Sequence, residues 1–260
     1  MATALVTGAS SGIGAEFARQ LASRGMDVVL VARSIDRLQQ LAEELQPQYG
    51  IDTTVLVADL TQPQDVERVY TETEGRGTTI DLLINNAGFG DYGEFAKSDR
   101  AKILSMVQLN VTALVDLTHR FLPPMQQRQS GCILNMGSIA SFQPLPYFSV
   151  YAATKAFVLS FSESLWAENR KTGVKILALC PGPTDTNFFE VSGSPASNGN
   201  SQQLASVEEV VRDAIAALEK DTSNVVVGGF ANQVMTTLTR FFPRDVLVQA
   251  VEQQFRPNRD

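Results

Sequence analysis

The chain has 260 residues, 44% of them hydrophobic, and a formal net charge of −7. This balance is typical of a folded protein with one sizeable core, and the acidic charge argues against nucleic acid as a partner, because phosphates attract basic surfaces. One histidine and two cysteines are too few for a multi-histidine metal site or a disulfide framework, so we expect no bound metal. The aliphatic runs are much shorter than a membrane span of about 20 residues, and the first residues lack the basic region of a signal peptide. We therefore expect a cytoplasmic protein without a membrane span.

Short aliphatic runs alternate with longer stretches of helical periodicity, a pattern typical of βαβ units and a parallel sheet. The predicted strands are 3–7, 28–32, 54–58, 82–85, 132–136, 175–179 and 224–227. The predicted helices are 13–23, 35–45, 64–73, 100–121, 150–170 and 207–219, followed by a helical tail over 231–260 that Pro243 breaks into two pieces. Most strands are apolar on both faces, which requires helices on both sides of the sheet. We expect an α/β, doubly wound Rossmann fold with a seven-stranded, mostly parallel sheet and a single domain over 1–260.

Three glycines follow the first predicted strand, in the segment Thr7-Gly8-Ala9-Ser10-Ser11-Gly12-Ile13-Gly14. Glycines permit a tight turn and a close approach of backbone N–H groups to a pyrophosphate, and the next helix adds the positive end of its dipole. Because strand, turn and helix follow in that order, a dinucleotide site is favoured over a plain connecting turn.

The end of the second predicted strand indicates which dinucleotide binds. Arg33 and Ser34 stand where an NAD site usually has an acidic residue for the ribose 2′-hydroxyl. A guanidinium pairs with a 2′-phosphate, whereas a carboxylate repels it. The sequence therefore favours NADP(H), with an exposed arginine at a helix start as the alternative.

Tyr151 and Lys155 lie one turn apart in the predicted helix 150–170 and therefore share a face. An ammonium near a phenol stabilises the phenolate and lowers the pKa of the tyrosine. Ser138 follows the fifth predicted strand, at the carboxyl end of the sheet, where open α/β folds place their sites. These three residues predict an acid–base site.

From Thr7 to Thr186 the order and spacing of motifs resemble the short-chain dehydrogenase/reductase family. The resemblance is carried by the glycine turn, Asp59, Asn85-Asn86-Ala87-Gly88, Asn110, Ser138, the Tyr151–Lys155 pair and Pro181-Gly182. It implies that Tyr151 is the general acid and that Lys155 lowers its pKa and holds the nicotinamide ribose. It also implies that Ser138 binds the substrate oxygen and that Asn110 holds a water linking Lys155 to solvent.

The same resemblance implies the cofactor contacts. They are Gly8, Ser10, Ser11, Gly12, Ile13, Gly14, Arg33, Ser34, Asp59, Leu60, Asn86, Ala87, Gly88, Tyr151, Lys155, Pro181, Gly182, Thr184 and Thr186. Asp59 would contact the adenine, Asn86 would line the ribose region, and Thr184 with Thr186 would meet the nicotinamide amide or a phosphate. Taken singly, Asn110 could merely bend its helix, Asp59 could cap one and Thr184 could belong to a turn. In this family the helix of the catalytic tyrosine commonly forms a subunit interface, so a homo-oligomer, a dimer or tetramer, is implied.

Apolar side chains flank the expected pocket mouth and indicate an apolar substrate: Phe89, Tyr92, Phe142, Pro144, Leu145, Tyr147, Phe148, Phe188 and Phe189. The leading hypothesis is an NADPH-dependent carbonyl reductase for an apolar ketone, resembling ketoacyl or hydroxysteroid reductases. A non-catalytic NADP(H)-binding sensor is the alternative, although it would not need the Asn110–Ser138–Tyr151–Lys155 set. A sugar-nucleotide epimerase would usually have a longer chain and a differently spaced glycine turn. Residues 184–206 are predicted to form a mobile substrate lid, with a disordered insertion at 192–203 as the alternative.

Overall fold

Seven strands form one sheet within the described ranges, which are residues 2–194, 204–239 and 241–256 of a computed structural model. Along the chain they are β1 (Thr3–Thr7), β2 (Asp27–Ala32), β3 (Thr53–Val57), β4 (Leu82–Asn85), β5 (Gly131–Met136), β6 (Val174–Pro181) and β7 (Asn224–Val227). Across the sheet the order is β3-β2-β1-β4-β5-β6-β7, and every neighbouring pair is parallel. The predicted doubly wound, seven-stranded fold is confirmed, and the sheet is parallel throughout rather than mostly.

Ten α-helices in the same ranges connect and cover the strands. They are α1 (Gly12–Ala22), α2 (Ile35–Tyr49), α3 (Pro63–Glu72), α4 (Arg100–Val107), α5 (Leu114–Gln127), α6 (Ser149–Asn169), α7 (Phe188–Ser192), α8 (Val207–Leu218), α9 (Phe230–Leu238) and α10 (Arg244–Phe255). The last two lie on either side of Pro243, as predicted. Part of the predicted lid, residues 195–203, lies outside the described residues. None of the helices in the described part is long and apolar enough to cross a bilayer.

Successive side chains of a strand point to opposite sides of the sheet, and helices bury both sides. On one face, Val6 and Leu30 belong to a core that includes Phe17 of α1 together with residues of α2 and α8. On the other face, Leu5 and its neighbours pack against Phe121 of α5 and residues of α3. This double cover explains why the strands are continuous apolar runs rather than alternating ones.

The predicted helix 100–121 is interrupted at the position that matters for function. A π-helical turn, Gln108–Ala113, separates α4 from α5. The spacing of apolar residues predicts a helix but does not distinguish an ordinary turn from a wider one, so the interruption was not predicted. This π-helical turn contains Asn110.

The strand order places a crevice at the centre of the sheet. β1 is hydrogen-bonded to β2 on one side and to β4 on the other, so the connections after β1 and β4 leave in opposite directions. In open α/β sheets the ligand binds outside the carboxyl ends of the strands at such a switch point. The glycine turn after β1 and the polar segment after β4 both begin there.

Candidate active site

A cavity of about 1130 Å³ runs along the carboxyl edge of the sheet. It is large enough to take a dinucleotide and a second small molecule, since typical ligand pockets span about 300–1,000 Å³. Its lining includes these predicted site residues: Gly8, Ser10, Ser11, Gly12, Ile13, Arg33, Ser34, Asp59, Leu60, Asn86, Ala87, Gly88, Ser138, Tyr151, Lys155, Pro181, Gly182, Thr184 and Thr186. Gly14 and Asn110 were predicted as well, but they do not line it.

The glycine turn is shaped for close backbone packing. Gly8 and Gly12 have positive φ angles of 67° and 53°, which L side chains rarely adopt. A Cβ at Gly14 would stand 2.3 Å from the carbonyl oxygen of Gly8 and 2.5 Å from Nδ2 of Asn86, so this glycine allows helix α1 to approach the turn. Contact of Gly14 with a cofactor stays a prediction. The Asn86 amide donates to the carbonyl of Thr7 at 2.9 Å and thereby fixes the turn to the end of β4.

Two arginines lie at one end of the cavity. Arg33, at the end of β2, and Arg37, in the first turn of α2, are both exposed and both line it. Neither makes an ion pair with another part of the described chain. Arg37 was not predicted as a site residue. Its place in the first turn of α2, four residues after Arg33, was the signal that it lies at the same end of the cavity. Guanidinium groups can pair with a phosphate, and binding of the 2′-phosphate at this end of the cavity stays a prediction.

Asp59 both lines the cavity and stabilises a turn. Its Oδ1 accepts hydrogen bonds from the N–H of Thr61 at 3.1 Å and from the hydroxyl of Thr61 at 2.8 Å. Its carbonyl accepts from Gln62 N just before α3. These bonds form a turn ahead of α3, whose N-cap residue is Gln62, so Asp59 does not cap that helix. Contact of Asp59 with adenine stays a prediction.

Ser138, Tyr151 and Lys155 meet at the end of β5. Ser138 begins a short 3-10 helix and accepts a hydrogen bond from the N–H of Ala140 at 3.1 Å. Lys155 is buried and donates to the carbonyl of Met136 at 2.6 Å. Its Nζ lies 5.8 Å from the centroid of the Tyr151 ring. The structure thus brings together the three residues that the sequence predicted as an acid–base site.

Burial controls the protonation of both titratable groups in this set. Desolvation raises the pKa of Tyr151 to about 12, and its hydrogen bond with Ser138 opposes this only in part. Desolvation also lowers the pKa of Lys155 to about 8. The direction of the Tyr151 pKa shift is opposite to the predicted one, because loss of solvent around the phenol is its largest cause. Tyr151 therefore keeps its proton at neutral pH, as a general acid must.

Asn110 holds the loop after β4 and does not face the cavity. Its Oδ1 accepts from the N–H of Phe89 at 3.1 Å, and its Nδ2 donates to the carbonyl of Phe89 at 2.9 Å and to Oγ1 of Thr154 at 3.2 Å. The side-chain amide is therefore engaged in structural bonds. The proposed water that relays protons from Lys155 stays a prediction.

Residues after β6 close the cavity opposite the glycine turn. The Thr184 hydroxyl donates to the carbonyl of Gly182 at 2.9 Å, so the turn alternative for Thr184 is observed. A Cβ at Gly12 would stand 3.3 Å from Cγ2 of Thr186, which places these two segments on either side of the narrow crevice. A Cβ at Gly182 would stand 2.0 Å from Nδ2 of Asn232, so α9 packs directly against this turn.

Aromatic and aliphatic side chains enclose Tyr151. Its ring centroid lies 5.1 Å from that of Phe188 and 6.0 Å from that of Phe148. The predicted apolar residues that line the cavity are Phe89, Leu145, Phe148, Phe188 and Phe189. Phe142 instead packs against a small core cluster that includes Cys180, and Pro144, Tyr92 and Tyr147 do not line the cavity. The immediate surroundings of the Tyr151 ring are therefore aromatic, although polar side chains also line the cavity.

Several lining residues were missed by the sequence analysis. They include Thr61, Lys102, Ser105, Leu109, Gln143, Asn187, Asn232, Met235, Gln254 and Phe255. Those of α9 and α10 follow the last recognisable motif by many residues, and only the folded chain brings them to the cavity. Among the described residues, no group of three or more His, Cys, Asp or Glu side chains could hold a metal ion.

Comparisons with known proteins agree with this geometry. A family model described as short chain dehydrogenase matches residues 2–196. The chain is 34% identical over 259 residues to the very-long-chain 3-oxoacyl-CoA reductase of Anas platyrhynchos, covering 97% of this chain and 80% of that protein. It superposes on a short-chain dehydrogenase from Sphingobium yanoikuyae in complex with NADPH with a TM-score of 0.83 at 33% identity, over 100% of this chain and 98% of the other.

A second solved structure is that of an enzyme specific for one kind of ketone. The bulky-bulky ketone specific alcohol dehydrogenase from Comamonas testosteroni has a TM-score of 0.81 at 31% identity, over 100% of this chain and 97% of the other. The family match covers most of the chain. The same part of the chain contains the Rossmann fold and the residues Ser138, Tyr151 and Lys155. The chain therefore belongs to the short-chain dehydrogenase/reductase family, whose members are NAD(P)-dependent oxidoreductases of alcohol and carbonyl groups.

Proposed function

We propose that this enzyme is an NADP(H)-dependent carbonyl reductase that reduces an apolar ketone. The observation that carries the proposal is one continuous cavity, with Arg33 and Arg37 at one end and Tyr151 among aromatic rings at the other. A cytoplasmic location stays a prediction, which fractionation of the native cells would check.

The described residues fit a bound NADP(H). Glycine at positions 8 and 14 permits the tight turn, because a Cβ at either would collide with Asn86 and nearby backbone. The turn borders the cavity from Gly8 to Gly12, where its backbone would contact a pyrophosphate. Arg33 and Arg37 would hold the 2′-phosphate, and Lys155 would contact the nicotinamide ribose. When bound, this cofactor supplies a hydride to the carbonyl carbon or accepts one from an alcohol.

The chain's own side chains supply the proton and orient the substrate. The Ser138 hydroxyl would donate a hydrogen bond to the carbonyl oxygen and hold it beside Tyr151. Tyr151 would donate its proton to that oxygen as the alkoxide forms, and Lys155 would stabilise the resulting phenolate. In the reverse direction the phenolate accepts the proton of the alcohol. The rings of Phe148 and Phe188 exclude water from the reacting atoms.

The similar proteins support an apolar substrate. One is named as a reductase of very-long-chain 3-oxoacyl-CoA, and the other as specific for ketones with two bulky substituents. We transfer to this chain only what these substrates share, a ketone with extended apolar substituents. The aromatic lining favours such a compound over a hydrophilic one.

A ketone panel tests the proposed function. NADPH oxidation is followed with aryl ketones, β-keto esters, steroids, acyl thioesters and hydrophilic sugar ketones. We expect the highest kcat/KM for apolar ketones, because the wall around Tyr151 offers few hydrogen-bond partners to a polyol. Turnover confined to the sugars, or none with any ketone, would contradict the proposal.

Replacement of Arg33 tests the cofactor preference. We expect Arg33→Ala to raise the KM for NADPH by about 10–100-fold, because a charge-assisted hydrogen bond contributes about 1.5–3 kcal/mol. The KM for NADH should change little, since NADH has no 2′-phosphate. Steady-state kinetics with both cofactors measures the two effects.

Arg24→Ala is the matched control for this experiment. Arg24 follows α1 and donates to the carbonyl of Gln20 at 2.7 Å, and it does not line the cavity. Its removal should leave both KM values unchanged. Equal effects of Arg33→Ala on NADPH and NADH would show that Arg33 is only a surface residue.

We also propose a homo-oligomer, as the family resemblance implies. Large apolar side chains of the described chain remain exposed, among them Phe230 at 79% and Phe241 at 78%. Such exposure is typical of surfaces that meet a partner. Light scattering on the purified protein would give the mass, and a monomer at micromolar concentration would overturn this part of the proposal.

A further inference from the structure

The C-terminal helix α10 reaches back over the substrate end of the cavity. Gln254 and Phe255, close to its end, line the cavity, and Phe255 packs edge-on against Phe148 at 6.1 Å between ring centroids and an angle of 88°. Phe148 in turn contacts the ring of Tyr151. Phe255 therefore forms the outer end of a row of rings that leads to the reacting hydroxyl.

Two tyrosine hydroxyls hold this part of α10 in place. The Tyr92 hydroxyl donates to the carbonyl of Phe255 at 2.8 Å, and the Tyr147 hydroxyl donates to Oε1 of Glu252 at 3.0 Å. Arg256 adds two hydrogen bonds to the same carboxylate, each 2.8 Å long. The tyrosines come from loops distant in sequence from α10, so these bonds fix its position relative to the cavity.

The same two tyrosines connect the other segments that enclose the substrate end. The N–H of Tyr92 donates to the carbonyl of Ser192 at the end of α7, and the N–H of Gly93 donates to the carbonyl of Tyr147. Tyr147 has a φ of +66°, a left-handed conformation unusual for a tyrosine, and it directly precedes Phe148. Such a conformation persists where surrounding contacts hold it, as these bonds do.

We propose that Phe255 is a specificity-determining residue, which limits the bulk of the ketone substituent that the cavity admits, and that Tyr92 and Tyr147 are positioning residues for it. The inference rests on the proposed function and adds what sets its substrate range. The Phe255 ring closes the row of apolar rings that begins at Tyr151. A substituent longer than that row must displace this ring and therefore the hydrogen-bonded end of α10.

Substrate discrimination tests the role of Phe255. The ratio of kcat/KM for benzophenone to that for acetophenone is measured in the wild type and in Phe255→Ala. We expect the ratio to rise by about tenfold or more, because even one methylene of misfit in an apolar pocket changes kcat/KM by about 10–200-fold. Phe95→Ala, which removes an exposed ring that does not line the cavity, should leave the ratio unchanged. An unaltered ratio in a folded Phe255→Ala enzyme would overturn the proposal.

Hydrogen exchange tests the tyrosines without turnover. Tyr92→Phe keeps the ring against Phe148 and removes only the hydroxyl. We expect amides of residues 248–255 to exchange about fivefold faster, since one hydrogen bond contributes about 0.5–1.5 kcal/mol, while amides of α6 do not change. Tyr70→Phe on α3 is the control. Unchanged exchange in α10 would overturn the positioning role, and a wild type that reduces no ketone would overturn the proposed function separately.

Discussion

Tyr151→Phe is expected to lower kcat/KM for ketone reduction by about 10²–10⁴-fold, the usual contribution of a general acid. Phenylalanine retains the ring that packs between Phe148 and Phe188 and loses only the hydroxyl. NADPH affinity should change little, because the arginines and the glycine turn remain. Kinetics with the best ketone of the panel, together with fluorescence titration of NADPH, measures both properties.

Tyr70→Phe is the matched control for the loss of a phenol. Tyr70 lies on α3 and packs against Phe121 at 5.3 Å between ring centroids, far from the cavity. The kcat/KM of the Tyr70→Phe enzyme should equal that of the wild type. If Tyr151→Phe kept most of its activity while Tyr70→Phe was normal, another group would have to supply the proton.

Most of the fold follows from the sequence because the sheet is buried on both faces. Strands with no polar alternation, such as β1 and β2, must be covered by helices on either side, and the alternation of strands and helices then favours a parallel sheet. The predictable site residues lie beside strand ends, as Gly8 and Ser138 do. Their positions depend on the strand order and not on distant parts of the chain.

The remaining features depend on contacts that local patterns do not record. The π-helical turn at Asn110 is held by hydrogen bonds to Phe89, a residue of another loop. The position of Phe255 depends on Tyr92, which lies 163 residues earlier in the chain. Apolar periodicity predicts that α10 is a helix, but it does not predict which side chains the helix end brings to the cavity.

The pKa of Tyr151 is the clearest difference between pattern and structure. The four-residue spacing to Lys155 correctly predicts proximity, and from proximity alone a lowered pKa follows. Burial of the phenol acts in the opposite direction, and the pKa rises to about 12. Spacing in a helix gives neighbours, whereas solvation depends on everything that packs around them.

Lys155→Met is expected to inactivate the enzyme and to stabilise the cofactor-free fold. Burial lowers the pKa of Lys155 from 10.5 to about 8, which corresponds to a cost of about 3 kcal/mol at neutral pH. Methionine has a similar length and no charge, and loss of the hydrogen bond to Met136 offsets about 1–2 kcal/mol of the gain. We expect the free energy of unfolding at pH 7 to rise by about 1–2 kcal/mol, while kcat/KM falls by about 100-fold or more.

The pH dependence separates this explanation from better packing by methionine. Below a pH of about 8 the lysine is charged in the folded and unfolded states, so the burial cost is fully present. Between pH of about 8 and 10.5 the unfolded wild-type chain binds more protons than the folded one. The free energy of unfolding of the wild type therefore rises with pH relative to that of the variant. Urea unfolding at pH 7 and pH 10 should therefore show a smaller difference at pH 10.

Lys171→Met controls for the general effect of removing a lysine. Lys171 is exposed just after α6, and its loss should change the free energy of unfolding by no more than about 0.5 kcal/mol at either pH. A Lys155→Met protein less stable than the wild type at pH 7, or equally changed at both pH values, would show that the buried ammonium is not a cost to the fold. A stability gain together with lost activity would show that the charge of Lys155 serves catalysis although it destabilises the folded state.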